Sequence, residues 1–155
     1  MYWYGMQPHL GVLTLDDLGL EQPVRRVEAS SLAALRPEFE RLVNWMQVLG
    51  YPRKDRVALI LAAREAVLNA IQHGNSGNSA KSFRLRYLVT PGEALVEVED
   101  EGFGFDPDCA PDALVAWEEQ QPRGRGLFLM RSYASWICFN PVGNRVTLGR
   151  RRSDE

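Results

Sequence analysis

The sequence predicts an α/β fold, in detail an α+β two-layer sandwich with helices on one face of a mixed, mostly antiparallel sheet. Three observations lead there. One stretch recurs at helical spacing and a second carries a long amphipathic pattern, two pairs of alternating runs are each joined by Pro/Gly turns, and no repeat or linker divides the 155 residues. With 45% hydrophobic and 25% charged residues, the composition is that of one ordinary globular domain, which we divide into an extension, 1–22, and a single domain, 23–155.

Leu32, Leu35, Phe39, Leu42, Met46 and Leu49 step by three and four, which predicts a half-buried helix stopped by Gly50 and Pro52. Before it, Val24 and Val27 among charges suggest a strand. Asp55 reads as the cap of a second helix from Arg56 to about His73, closed by Gly74 and Asn75. Its apolar face holds Leu59, Ile60, Ala63, Val67, Ala70 and Ile71, and the small Ala58 and Ala62 leave room beside the polar stripe.

SFRLRYLVT and ALVEVED alternate around Pro91 and Gly92 and read as a hairpin. Residues 106–123 hold three prolines and no period, which fits a loop. Gly124 and Gly126 then open a helix with Leu127, Met130 and Tyr133 as apolar positions, and WICFN and RVTLGR form a closing hairpin.

Charge and composition exclude several classes. Eighteen basic against twenty acidic residues, a net charge of −2, argue against a dedicated nucleic-acid binder. Arg150, Arg151 and Arg152 beside Asp154 and Glu155 read as a solvated tail. No run approaches bilayer length and the first residues lack a signal-peptide pattern, so no membrane association and a cytoplasmic location are expected. Cys109 and Cys138 lack metal-site spacing and read as free thiols.

Three stretches carry chemistry. Glu65, Asn69 and His73, spaced by four with Gln72 nearby, share one helix stripe, where a carboxylate and an amide offer oxygen lone pairs to a hydroxyl, a water or Mg²⁺. Taken alone, a polar helix side facing solvent is the commoner case. Asp100-Glu101-Gly102-Phe103-Gly104 follows a strand; an aspartate there can accept from an exocyclic amine, and glycines let backbone approach a ligand, although the same pattern also makes an ordinary tight turn. Arg123-Gly124-Arg125-Gly126-Leu127 opens a helix, where unpaired N–H groups and two guanidinium groups suit phosphate oxygens.

Order and spacing make the combination specific. The sequence resembles the GHKL ATPase superfamily and, within it, the anti-sigma-factor serine/threonine protein kinases: Glu65 to Gly74 looks like the N box, Asp100 to Gly104 like the G1 box, and Gly124 to Arg131 like the G2 box, over about Val24 to Arg150. The resemblance implies a Bergerat ATP-binding fold with ATP and Mg²⁺ as cofactors. Asp100 would read adenine, Gly102 and Gly104 shape the pocket, and Asn69 coordinate Mg²⁺. Residues 106–123 would be the lid, Gly124, Arg125 and Gly126 would hold the phosphates, with Arg123 and Leu127 also in the nucleotide site, and Glu65 would be the general base. His73, inside the N box, belongs to the nucleotide site as a supporting residue, since no phosphoacceptor-histidine helix pair precedes it. Gly143-Asn144-Arg145-Val146 departs from the Gly-Gly-containing turn common in relatives. The implied partners are a sigma factor and an anti-anti-sigma STAS-domain protein that receives the phosphate, with a homodimer implied as well. The alternatives are a nucleotide-gated sequestering module of the same fold without kinase activity, and an ATP hydrolase.

Overall fold

A computed structural model describes residues 2–5, 24–104 and 122–154, with only the backbone described for 2–5 and 122–125. In chain order the elements are β1 (Tyr2–Gly5), β2 (Arg25–Ala29), α1 (Arg36–Val48), α2 (Arg53–Asn69), β3 (Phe83–Val89), β4 (Glu93–Asp100), α3 (Pro122–Tyr133), β5 (Trp136–Phe139) and β6 (Arg145–Arg151).

Alternation builds the sheet. Phe83, Leu85 and Tyr87 on β3 stand opposite Asp100, Val98 and Val96 on β4, and Val98 and Val96 in turn stand opposite Val146 and Leu148 on β6. These apolar positions are buried in one cluster with residues of all three helices, so the helices cover a single face. The strand order is β1-β5-β6-β4-β3-β2, and every ladder among the described strands is antiparallel, so the expected mixed sheet shows no parallel pair there. Both expected hairpins form. Tyr2–Gly5, read from sequence as part of an extension, adds an edge strand on β5.

The helix stops also follow from local chemistry. The α1 stripe buries Leu35, Leu42 and Met46, and the chain leaves α1 through Gly50 at φ +81°, with Gly50 N–H donating to the Gln47 carbonyl and Tyr51 N–H to that of Met46. That pairing satisfies carbonyls which the helix end leaves open, and it requires a residue tolerant of positive φ. Pro52, extended at ψ 157°, sets the start of α2 three residues earlier than Asp55 would.

Two expectations are corrected at this point. Asp55 is no cap: it lies in the first turn of α2, fully buried, and accepts from Arg150 Nε (2.9 Å) and Nη2 (2.6 Å) and from Ser153 N (2.7 Å) and Oγ (2.9 Å). Nor do Arg150 and Arg151 belong to a solvated tail, although Arg152 is exposed as expected. Arg150 also donates to the Tyr133 carbonyl at 2.9 Å, tying β6 to the end of α3, while Arg151 closes the β6 ladder opposite Glu93. A carboxylate this deep needs such partners, because burial alone would raise its pKa; the Ser153 donors and the Arg150 guanidinium outweigh burial and hold it below the ordinary value.

Candidate nucleotide site

The floor of the site is the end of α2. After Asn69 the helix widens into a π turn over Ala70–Gly74, where Asn75 N–H reaches the Ala70 carbonyl at 2.8 Å. Such a turn inserts one extra residue into the helix and recurs at functional positions. It presents Asn69, His73 and Gly74 to one cavity together with the small Ala66 and Ala70. Ala58 and Ala62, expected beside the polar stripe, are instead packed in the protein interior.

Asn75 fastens this turn to the neighbouring strand. It is 2% exposed, donates from Nδ2 to the Ser82 carbonyl (2.9 Å) and accepts at Oδ1 from Glu101 N–H (3.0 Å). Ser82 N–H donates to Glu101 Oε2 at 2.6 Å, closing the loop of contacts. The end of α2 and the end of β4 are therefore held as one unit.

Asp100 stands where β4 ends. Gly102 N–H donates to its Oδ1 at 2.8 Å, and its own N–H donates to the Asn144 carbonyl at 3.0 Å. Glycines are needed around it for space: a Cβ on Gly74 would fall on the Asp100 carboxyl group, and one on Gly102 on the Gly74 carbonyl. Gly104, at φ +76°, packs on the Val142 carbonyl.

The 140–144 turn makes another wall. Asn140 Oδ1 accepts from Gly143 N–H (2.9 Å) and Arg145 N–H (3.0 Å), and Asn140 Nδ2 donates to Asn144 Oδ1 (2.7 Å). Gly143, Asn144, Arg145 and Val146 consequently line the cavity. On the remaining side α3 approaches so closely that a Cβ on Gly126 would lie 3.0 Å from Asn69 Oδ1, while Leu127 and Met130 supply apolar surface.

The cavity therefore gathers Asn69, His73, Asp100, Gly104 and Leu127 from the sequence-derived set. Gly102 and Gly126 sit behind Asp100 and Asn69 respectively. Glu65, half-buried one turn before Asn69, is not part of the cavity wall. Gly124 falls in the first turn of α3; the expected contacts of the Arg123 and Arg125 side chains, and residues 106–121 of the expected 106–123 lid, lie outside the described residues, while 122 and 123, read from sequence as loop, already belong to α3. Ala66, Ala70, Val98, Met130 and Phe139 were missed as lining residues, and their pattern is that of ordinary core. Asn144 reads from sequence as a turn residue between the last two strands and as a departure from relatives, not as part of the site, yet an Asn-rich turn next to a strand is a readable sign of side chain–backbone bonding.

This lining pairs a polar edge (Asn69, Asp100, Asn144) with apolar walls (Val98, Leu127, Met130), which suits a flat heterocycle bearing donors and acceptors on its rim. A model of the histidine kinase-like ATPase domain matches residues 28–150, most of the chain and all of these walls. The chain belongs to the histidine kinase-like ATPase domain family. Within this ATPase family it is 29% identical over 86 residues to the serine/threonine-protein kinase BtrW of Bordetella bronchiseptica, covering 54% of this chain and 61% of that protein, so the match spans about three-fifths of the relative. In fold, this ATPase domain is similar to the crystal structure of the RsbU and RsbW domains of Rv1364c from Mycobacterium tuberculosis, with a TM-score of 0.54 at 17% identity over 84% of this chain and 32% of that one. No helix among the described residues is long and apolar enough to cross a membrane.

Proposed function

We propose that this chain is an ATP-binding anti-sigma factor and serine/threonine protein kinase, transferring the γ-phosphoryl group of ATP to a hydroxyl of an anti-anti-sigma STAS-domain partner. The observation that carries the reading is the convergence of Asn69, Asp100 and Leu127 from three separate elements on one cavity, with Gly126 packed against Asn69. In this reading Asp100, steadied by Gly102 N–H, accepts a hydrogen bond from the adenine amine. The glycines at 74, 102 and 126 keep the approach to Asp100 and Asn69 open, and the first turn of α3 offers N–H groups to phosphate oxygens.

The residues fit a magnesium ion of the kind that takes few protein ligands. Among the described residues no three His, Cys, Asp or Glu side chains gather, and Asn69, which lines the cavity, would supply an amide oxygen, the phosphates and water supplying the rest. Bound there, Mg²⁺ would neutralise phosphate charge.

Glu65 lies four residues before Asn69, about 6 Å along the helix axis. It would take the proton of the acceptor hydroxyl as that oxygen bonds to the γ-phosphorus and the bond to the ADP oxygen breaks. His73 supports the cavity beside it. The same reading treats 23–155 as one ATPase domain with 1–22 as an extension, acting in the cytoplasm on a sigma factor and its antagonist, as a homodimer.

The position of Glu65 outside the cavity wall favours one alternative, a nucleotide-gated module that sequesters its partner without transferring phosphate. Incubation of the full chain with Mg-ATP and a STAS-domain protein separates the two. Phosphate on the partner that disappears in Glu65→Ala and in Asn69→Ala supports the kinase. Binding of ATP and sigma factor without transfer supports the sequestering module, and absence of ATP binding by calorimetry removes both.

A further inference from the structure

On the solvent side of the helical layer, α1 and α2 leave an open groove. Its floor is apolar, formed by half-buried Leu32, Phe39, Val43 and Ile60. Its rims differ in charge. On the α1 side Arg36 is already committed to Glu40, with Nε donating to Oε1 at 3.0 Å. On the α2 side Arg64 is exposed and has no ion pair among the described residues, which leaves the groove with one uncompensated positive charge.

The groove also lies beside the transfer site. Arg64 directly precedes Glu65, and consecutive helix residues are separated by roughly 100° of rotation, so Glu65 leaves α2 on the face adjoining the one that Ile60 and Arg64 give to the groove. From Ile60 to Glu65 the axial distance is about 7.5 Å. Allowing for the path around the helix, an extended peptide rising about 3.3 Å per residue bridges the groove and Glu65 in three or four residues.

We propose that the α1–α2 groove is the docking site for the phosphoacceptor protein, seating apolar side chains three or four residues from the acceptor hydroxyl and pairing an acidic side chain with Arg64. The inference rests on the kinase reading and adds to it the place and the chemistry of partner recognition. The uncompensated cation selects a carboxylate, and continuity with Glu65 selects the acceptor protein over a second copy of this chain, which would cover the approach to the base.

Steady-state phosphorylation of a purified STAS-domain acceptor by the full chain tests it, comparing the native protein with Arg64→Glu, Asn44→Glu on the opposite groove wall, and Arg26→Glu on the sheet face away from the helices. All three positions are exposed, and circular dichroism melts verify folding. The expected result is a KM for the acceptor raised tenfold or more in the two groove variants, with kcat and the KM for ATP within twofold of native and Arg26→Glu unchanged. Transfer with a native acceptor KM in both groove variants overturns the groove and leaves the kinase standing. No transfer by the native chain overturns both together. Sedimentation that shows a native dimer dissociating in the groove variants while the acceptor KM stays native assigns the groove to a second copy and overturns the proposal.

Discussion

Replacing Gly74 by alanine puts a single methyl group where the geometry of the site leaves no room. The added Cβ would clash with the Asp100 carboxyl carbon and Oδ2 and lie 2.5 Å from Oδ1, so either the carboxylate swings away or the π turn shifts. The first outcome breaks the 2.8 Å bond from Gly102 N–H and moves the acceptor proposed for adenine. A hydrogen bond to a charged group contributes about 1.5–3 kcal/mol, which corresponds to a roughly 10- to 150-fold weaker ATP affinity. Gly74 does not have positive φ, so backbone strain does not confuse the result. Gly77 provides the opposite control, with φ +68° and no atom within 4 Å of an added Cβ: Gly77→Ala should lose about 1–2 kcal/mol of stability and bind ATP normally. Isothermal titration with ATP, paired with urea melts, reads both. An ATP affinity of Gly74→Ala within twofold of native would refute the role given to Asp100.

Other perturbations test the frame. Asp55→Ala leaves Arg150 with the Tyr133 carbonyl and a 21% exposed side chain, so the loss should fall near the low end for a broken buried pair, about 3 kcal/mol by urea unfolding at neutral pH. Because the pKa of Asp55 is depressed in the folded state, its contribution is present above the unfolded value near 3.9 and disappears as pH falls through the lower folded value; the acid limb of the stability curve should flatten in the variant. Gly149→Ala drives a Cβ into the Trp136 indole, whose Nε1 donates to Glu93 at 2.6 Å, and should cost about 1–3 kcal/mol with a changed tryptophan emission. Tyr87→Phe removes the 2.6 Å bond to Glu38 but leaves Arg25 and Arg41 on that carboxylate, so a loss of about 1.5 kcal/mol is expected in the same melts.

The parts of the fold legible from sequence are those whose cause is local. The α1 stripe, both hairpins and the glycine stop at position 50 each depend on residues within a few positions of one another, so periodicity and turn chemistry expose them. The π turn was not legible, because its extra residue arises where Asn75 is held by Ser82 and Glu101 across the sheet end. Asp100 was singled out by its glycines, whereas Asn144, which holds the Asp100 backbone, was not, since that contact joins positions 44 residues apart. Glu65, Asn69 and His73 share one spacing, yet the cavity takes only the last two. Spacing fixes which side chains share a helix face, and the neighbouring helix and strand decide which part of that face they enclose.

Arg150 shows how a sheet-level rule can recover what composition obscures. A run of three arginines near acidic residues has the composition of a solvated tail, and its carboxylate partner stands 95 positions earlier. Alternation along β6, however, places Val146 and Leu148 on the helix-covered face and thereby puts Arg150 on it too, one step beyond the last apolar residue. A cation at the margin of a buried face requires an anion there. Asp55, at the buried start of α2, supplies it, and the same guanidinium reaches the last residue of α3 through the Tyr133 carbonyl. The helix that presents Asn69 and the helix that presents Gly126 are thus pinned by one side chain at the ends remote from the cavity. Loosening that pin should widen the gap between Asn69 and Gly126, so Asp55→Ala is expected to weaken ATP binding even at temperatures where the fold persists; an unchanged affinity there would show that the two helices hold their spacing without it.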